Sequence, residues 1–373
     1  MLSKKVKNIA PSATLEMSKK VRHLQSIGID IVDFGLGEPD FDTPEHIKKA
    51  AINAIEKGVT KYTAPAGTEE LRMAVCKKLK RENKLDYSTS QIAVSSGSKH
   101  SLYNIFLALL DQGDEVIIPV PYWTSYPEQV KLAGGMPVFA DTEDFHIDIE
   151  KIEERITKRT KAIIVNSPNN PSGAVYDKNQ LKALAGIAKE HNIFLISDEI
   201  YEHFIYSGRH HSVAEFAKEN TILVNGVSKA YAMTGWRIGY CAADEKIIRA
   251  VSDVQGQTTS NPSSISQMAA IEALNKAPSK DMVNEFDKRR KYAVKRLTDM
   301  GFKFEIPEGA FYVFPEVPTN SVKFSELLLD KARVAVVPGK DFGSDRHVRI
   351  SYATSMKNIE EGMDRIENLL KKI

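Results

Sequence analysis

Apolar and polar positions divide the chain into short, almost continuously apolar runs and longer stretches with helical spacing. Residues 92–96, 115–119, 162–166, 193–197, 221–225 and 238–242 are runs of strand length, bounded by glycine, proline, asparagine or charged residues. Between them the apolar residues recur every three or four positions. Leu102, Ile105, Phe106 and Leu109 line one face of a helix predicted over 99–110, and Ile47, Ala50, Ala51, Ala54 and Ile55 line one face of an earlier helix. A strand covered on both faces needs a run that is apolar throughout. Its alternation with amphipathic helices predicts a mostly parallel α/β sheet.

The two ends of the chain read differently. Residues 2–20 mix basic residues with Pro11-Ser12-Ala13-Thr14 and read as an arm that orders only against something else, such as a second subunit. Residues 29–34 alternate as a strand and 35–42 form a glycine-bearing turn, after which Thr43 is expected to cap a helix with Pro44 at its first position. A further helix is expected over 69–82. Beyond a long charged helix over 278–300 the pattern predicts a smaller unit. It has short strands near Phe304 and at 311–314, 334–337 and 347–351, a helix over 324–331, and a closing helix with Ile359, Met363, Ile366 and Leu370 on one face.

Composition narrows the class. The 373 residues are 42% hydrophobic and 27% charged, enough for two globular domains, and the +2 net charge is spread along the chain, so neither nucleic acid nor a membrane surface is implied. Two cysteines, Cys76 and Cys241, give no disulfide framework, and the first residues lack a signal-peptide core. A cytoplasmic protein acting on small molecules is expected.

Candidate chemistry gathers where the apolar runs end, which is where an open parallel sheet binds ligands. Lys229 follows Ile222-Leu223-Val224 and a small-residue turn, and a desolvated lysine beside other cations loses its proton easily and attacks carbonyls. Arg237 offers a bidentate anion contact. Gly97-Ser98-Lys99 stands between a strand and a helix, where free N–H groups and the helix dipole favour a phosphate. Asp198 ends a buried run and needs a cationic partner there. Plainer readings stand beside each of these: a surface lysine, a turn glycine, a helix-capping aspartate. For Trp123 the plainer reading is core packing, which its proline-flanked place on a loop disfavours, and for Arg349 it is an exposed strand arginine. His203, His210 and His211 do not combine with nearby acids at a metal spacing and are read as surface or loop residues, so no metal is expected.

The string Ser228-Lys229-Ala230-Tyr231-Ala232-Met233-Thr234-Gly235-Trp236-Arg237-Ile238-Gly239 resembles the active-site lysine segment of the class I/II aminotransferases, enzymes of fold type I that depend on pyridoxal 5′-phosphate (PLP). Gly37-Glu38-Pro39-Asp40-Phe41, Asn170-Pro171-Ser172-Gly173, Asp198 to Tyr201, and Arg349-Ile350-Ser351-Tyr352-Ala353-Thr354-Ser355 resemble further family motifs in family order. The resemblance runs over essentially the whole chain and is nearest to the bacterial and archaeal aspartate aminotransferases. It implies a mostly parallel seven-stranded sheet flanked by helices, with a smaller α+β domain formed by both chain ends. The boundaries are an arm and part of the small domain at 1–42, the large PLP-binding domain at 43–285, and the rest of the small domain at 286–373.

The resemblance also implies roles. Lys229 carries the cofactor as a Schiff base and moves the substrate proton, Asp198 faces the pyridine nitrogen, Tyr201 and Asn170 face the phenolic oxygen, and Trp123 stacks on the ring. Gly97, Ser98, Lys99 and Arg237 hold the phosphate together with Tyr62 of a neighbouring subunit, which implies a homodimer with shared sites. Arg349 clamps the substrate α-carboxylate, with Gly37, Trp123 and Asn170 nearby. Residues 254–266 contain no arginine for a distal carboxylate, whereas Lys99 and Thr14 match residues that another subgroup uses. The expected reaction moves the amino group of aspartate or glutamate to a 2-oxo acid. Aromatic, prephenate or broad specificity is the alternative, and a PLP-dependent β-lyase a further one. A regulatory protein on this fold would need a DNA-binding segment, for which no room is expected before Asp33 or after Arg349.

Overall fold

The computed structural model describes Ser3, Ile9 and residues 13–372, with the side chains of residues 13–15 outside the description. Seven strands form the main sheet: β1 (Ile92–Ser95), β2 (Glu115–Pro119), β3 (Met136–Ala140), β4 (Thr160–Asn166), β5 (Phe194–Asp198), β6 (Thr221–Gly226) and β7 (Gly239–Ala242). Their order is β1-β7-β6-β5-β4-β2-β3. Every neighbouring pair is parallel except those made by β7, which runs antiparallel to both β1 and β6.

The period of two in the strands decides how this sheet is covered. Val116, Ile118, Ile164, Ile196, Ile222 and Val224 join Leu102, Ile105 and Phe106 of the helix Ser98–Leu109 in one buried cluster. Their neighbours Ile117, Ile163, Val165 and Leu195 join Leu181 and Leu184 of the helix Lys178–Glu190 in another. Alternate side chains thus enter separate layers on opposite faces, the arrangement that runs apolar throughout require.

β3 escapes a reading from apolar runs. It is an edge strand paired only with β2, and its Met136 and Phe139 are exposed.

Register aligns the chemistry. Asn166 lies opposite Asp198, and Asp198 opposite Val224, so β4, β5 and β6 end at one level. Because β7 is antiparallel it starts at that level, with Gly239 opposite both Gly226 and Ser95.

Both chain ends build the smaller unit. Val32–Asp33 pairs in parallel with Val334–Ala335, and Tyr312–Val313, Val348–Ser351 and Val337–Pro338 form an antiparallel sheet. Phe34 from the N-terminal side and Phe286, Phe311, Phe324, Ile350 and Ile366 from the C-terminal side share one core.

Several expectations are corrected. The arm contains a helix, Ala13–Ser26, whose Met17, Val21 and Leu24 pack on Leu329 and Ala335. The helices expected over 69–82 and 324–331 close in π turns, Leu79–Asn83 and Leu328–Ala332. The run 334–337 divides between two sheets, and no strand forms at Phe304. Among the described residues no helix is long and apolar enough to cross a membrane.

Candidate active site

A cavity of about 260 Å³ opens at the carboxyl ends of β4, β5 and β6. It is lined by Gly37, Ser98, Lys99, Trp123, Asn170, Asp198, Tyr201, Lys229, Arg237 and Arg349, and also by Tyr126, Ser228, Thr234 and Tyr312. Residues drawn from positions 37 to 349 meet here.

One wall is an anion cup. Gly97 precedes the helix Ser98–Leu109 with φ 88°, a left-handed conformation natural to glycine, and this turns the free N–H groups of the first helical turn toward the cavity end of the sheet. Packing around the cup leaves no space for side-chain carbons. A Cβ on Gly97 would run into the Arg237 guanidinium, one on Gly226 would stand 2.7 Å from Ser98 Oγ, and one on Gly239 would enter the backbone of Gly97 and Ser98. Arg237 itself holds φ 56° and donates to Thr234 O at 2.7 Å. Ser98 Oγ donates to Asn225 O at 2.8 Å, tying the cup to β6.

Lys229 faces the cavity from the turn after β6, and Asp198 from the end of β5. The Lys229 amine donates to Gly37 O at 2.6 Å. Burial lowers its pKa to about 8, opposed by Glu38 and Asp198 and assisted by Arg349 and Arg237. It therefore gives up its proton far more readily than a solvated lysine. Asp198 is 4% exposed, and burial raises its pKa to about 6 against the hydrogen bonds from Tyr126 Oη (2.8 Å, to Oδ2) and Ile200 N (3.3 Å, to Oδ1). Such a carboxylate lacks the full positive partner that its site would accommodate.

Arg349 is the largest side chain among the fully enclosed ones, at 2% exposure. Its Nη1 donates to Asn170 Oδ1 at 3.0 Å and Nη2 to Gly35 O at 2.8 Å, while its Nε is buried without a partner. Tyr312 and Phe342 lie against its guanidinium at 4.5 and 5.2 Å. An orphaned, charged donor held this rigidly is suited to a carboxylate. Lys99 sits elsewhere on the wall with its amine 4.8 Å from the Trp123 ring centre. Partial burial of the amine and the Arg237 charge lower its proton affinity, although the residue as a whole remains exposed.

Two of the candidates lie apart. Tyr62 is 92% exposed and does not line its own chain's cavity. Thr14 falls in the helix Ala13–Ser26, but its side chain lies outside the described residues.

The comparisons with known proteins bear on this arrangement. The profile of the aminotransferases of class I and II matches residues 29–366. The chain belongs to that family. An aspartate aminotransferase of Bacillus sp. (strain YM-2) is 45% identical over 389 aligned positions, covering 100% of this chain and 99% of the relative. The aspartate/prephenate aminotransferase of Thermus thermophilus is 47% identical and covers 99% of this chain and 98% of the relative. Among solved structures, the Thermus thermophilus aspartate aminotransferase with maleate superposes with TM-score 0.95 at 45% identity, covering 99% of both chains. The Rhizobium meliloti aspartate aminotransferase gives 0.96 at 42%, covering 100% of this chain and 99% of that one.

This chain is accordingly a PLP-dependent transaminase of fold type I. The residues fit that cofactor. The glycine-lined cup at a helix N-terminus beside Arg237 suits a phosphate dianion, the under-partnered Asp198 suits a pyridinium, and the lowered Lys229 amine suits an aldehyde.

Sequence reasoning missed part of the site. Thr43 does not cap the helix Glu45–Glu56, whose N-cap is Pro44. Its hydroxyl donates to Ala232 O at 2.6 Å and accepts from Trp236 Nε1 at 3.0 Å, clasping the loop after Lys229. Tyr126 and Tyr312 carried no signal beyond being aromatic, since their partners lie 72 and 111 positions away.

The histidines are corrected as well. His203 Nε2 lies 3.0 Å from Glu82 Oε2, and His210 Nε2 lies 3.1 Å from Glu199 Oε2. Both acids stand with Glu202 in groups close enough to share an ion, but Lys78 already pairs with Glu202 and Glu82. Burial pushes Glu202 up, yet Lys78, His203 and His210 outweigh it and hold the carboxyl well below its usual range. Glu202 also accepts from Asn225 Nδ2 at 2.6 Å, so this buried network braces β6 three residues before Ser228.

Proposed function

We propose that this transaminase exchanges amino groups between the dicarboxylic pair aspartate and glutamate and their 2-oxo acids, the two half-reactions sharing one site in turn. What carries the reading is the pairing of two cations with separate addresses on one cavity wall, Arg349 held between Tyr312 and Phe342, and Lys99 over Trp123. A carboxylate left unpaired in a dry cleft costs several kcal/mol, so a substrate with two of them needs both cations. A relative solved with maleate, itself a dicarboxylate, supports the assignment.

The bound cofactor supplies an electrophilic aldehyde carbon and an electron-withdrawing ring. Around it the chain's residues divide the remaining tasks. Ser98, the N–H groups of Gly97 to Lys99, and Arg237 would bind the phosphate, joined by Tyr62 of a second copy. Asp198 would stay ionised to hold the pyridine nitrogen protonated, and Trp123 would supply a stacking face for the ring. Tyr201 and the amide of Asn170 would donate to the phenolic oxygen, Asn170 being oriented because its Oδ1 already accepts from Arg349. Arg349 would hold the substrate α-carboxylate, with Gly37 beside it on the cavity wall. Lys229, whose amine burial makes easier to deprotonate, would act as the general acid and base for the substrate α-carbon proton. The arm and part of the small domain are assigned to 1–42, the large domain to 43–285 and the rest of the small domain to 286–373, and the free cysteines Cys76 and Cys241 support a reducing compartment, the cytoplasm.

Prephenate is the second reading, favoured by relatives named for aspartate and prephenate together, and it too carries two carboxylates. A panel of amino donors and 2-oxo acids tests both. Aspartate with 2-oxoglutarate is expected to give the highest kcat/KM, and glutamate with prephenate to be measurable. A protein that favours aromatic or aliphatic donors over aspartate by tenfold or more would overturn the dicarboxylate reading.

A further inference from the structure

On the cavity wall Tyr201 and Tyr312 share a hydrogen bond, their hydroxyl oxygens 2.8 Å apart and both residues buried. Their rings meet edge to face at 5.8 Å and 83°. Tyr312 sits in the strand Tyr312–Val313, which pairs with the strand that carries Arg349, and its ring supports the Arg349 guanidinium at 4.5 Å. On its other side Gly37 comes so near that a Cβ there would stand 3.1 Å from Tyr312 Oη, and Gly37 O is the acceptor for the Lys229 amine. One residue therefore adjoins the carboxylate clamp through its ring and, through its hydroxyl, the loop that holds the reactive amine and the tyrosine assigned to the cofactor's phenolic oxygen.

A phenol has one proton to donate. If Tyr201 gave its proton to Tyr312 it would have none for the cavity. Arg349 favours ionisation of both phenols against their burial, but its guanidinium lies directly on the Tyr312 ring, which makes Tyr312 the better donor of the pair. The direction of the pair then runs from Tyr312 to Tyr201 and onward. Chains of this kind strengthen the terminal donor, because each donated bond polarises the next.

We propose that Tyr312 is a positioning residue that donates to Tyr201 and so directs and strengthens the Tyr201 hydroxyl toward the cofactor's phenolic oxygen, coupling that contact to occupancy of the Arg349 site. A carboxylate bound at Arg349 cancels the charge that favours Tyr312 as donor, and the contact at the phenolic oxygen weakens as the substrate arrives. Arg349 and Asp198 are charged groups facing this pair, and the buried Tyr126 phenol adjoins Tyr201. The inference rests on the aminotransferase reading and on the role given there to Tyr201.

Tyr312→Phe keeps the ring under Arg349 and removes only the hydroxyl. The measurement is the pH midpoint of the bound cofactor's absorbance, without substrate and with saturating maleate, in wild type, Tyr312→Phe, Tyr201→Phe and the double variant. Tyr312→Phe is expected to raise the substrate-free midpoint by roughly 0.5 to 1 unit, the size of one neutral hydrogen bond. In wild type maleate is expected to raise the midpoint further, and Tyr312→Phe should reduce that shift. In the Tyr201→Phe background the same change should have no effect, because the coupling passes through Tyr201. An unchanged midpoint in Tyr312→Phe, or an equal change in both backgrounds, overturns the proposal. If Tyr312→Phe takes up cofactor too weakly to titrate, the dissociation constant for PLP replaces the midpoint in the same four-protein cycle, with the same two outcomes. A wild-type protein that shows no cofactor absorbance at all would overturn the aminotransferase reading itself.

Discussion

Lys229 and Asp198 are both pushed toward neutrality by burial, and the consequences for the protein differ. For Asp198 the folded pKa of about 6 lies above the 3.8 of a free aspartate. The folded state therefore binds this proton more tightly than the unfolded chain. Stability from that difference is full below about pH 4 and is lost as pH rises through 6. At pH 7.5 the cofactor-free protein carries the carboxylate at a cost of about 3 kcal/mol. Asp198→Asn removes the charge, its Oδ1 still accepting from Ile200 N while its Nδ2 donates to Tyr126 Oη in a reversed contact, so it should raise the melting temperature of the cofactor-free protein at pH 7.5. That advantage should shrink as pH falls from about 6 toward 4, and calorimetry across this range checks it; transamination should be lost throughout. Lys99 offers a second test, of selectivity. If its amine serves the distal carboxylate, Lys99→Ala should lower kcat/KM for aspartate and glutamate by roughly 100-fold and leave an apolar amino acid nearly untouched. Equal losses would assign Lys99 to the phosphate instead.

The strands β1, β6 and β7 act together, because Gly97 just beyond β1, Gly226 in β6 and Gly239 in β7 let the cup's backbone settle directly onto the sheet. Gly239→Ala places a Cβ inside the backbone of Gly97 and Ser98, whereas at Gly235, four residues earlier, a Cβ would meet open space. Gly239→Ala should weaken PLP binding by 100-fold or more, roughly the loss of the charge-assisted contacts in the cup. Gly235→Ala should leave it near wild type, and fluorescence titration of the cofactor separates the two. Such close approaches explain what a sequence can and cannot disclose. Runs such as Ile222-Leu223-Val224 announce strands because burial on both faces admits little else, and a glycine between strand and helix announces an anion site. β3 is half exposed, the π turns at Leu79–Asn83 and Leu328–Ala332 depend on tertiary packing, and Thr43 has the composition of a cap but the partners of a clasp. The Lys78, Glu202 and His210 network was invisible for the same reason. Its members are separated by up to 132 positions and acquire meaning only through contact.

Tyr62 cannot act within its own chain, yet the loop that carries it is held firmly. Fully buried Gln267 donates to Thr63 Oγ1 at 3.0 Å and accepts from Thr68 N at 2.8 Å, and Ser264 Oγ donates to Val59 O at 2.9 Å. The helices Glu45–Glu56 and Ser264–Leu274, packed against each other beneath this loop, expose Ile52, Ile55 and Met268. A rigid loop that presents an aromatic side chain to solvent, beside exposed apolar residues, is suited to an interface in which the tyrosine completes another molecule's site. If that molecule is a second copy, each site of the dimer combines Lys229 from one chain with Tyr62 from the other. Lys229→Ala and Tyr62→Ala dimers should each be nearly inactive at limiting PLP, one lacking the amine and the other a phosphate contact in both sites. A mixed dimer would hold one site with both defects and one with neither. Exchanging subunits between the two variants should restore activity to about one quarter of wild type, since half of the dimers formed from an equal mixture are mixed and each has one intact site. Activity that stays at the level of the parents after native mass spectrometry has verified exchange would show that Tyr62 does not cross between subunits.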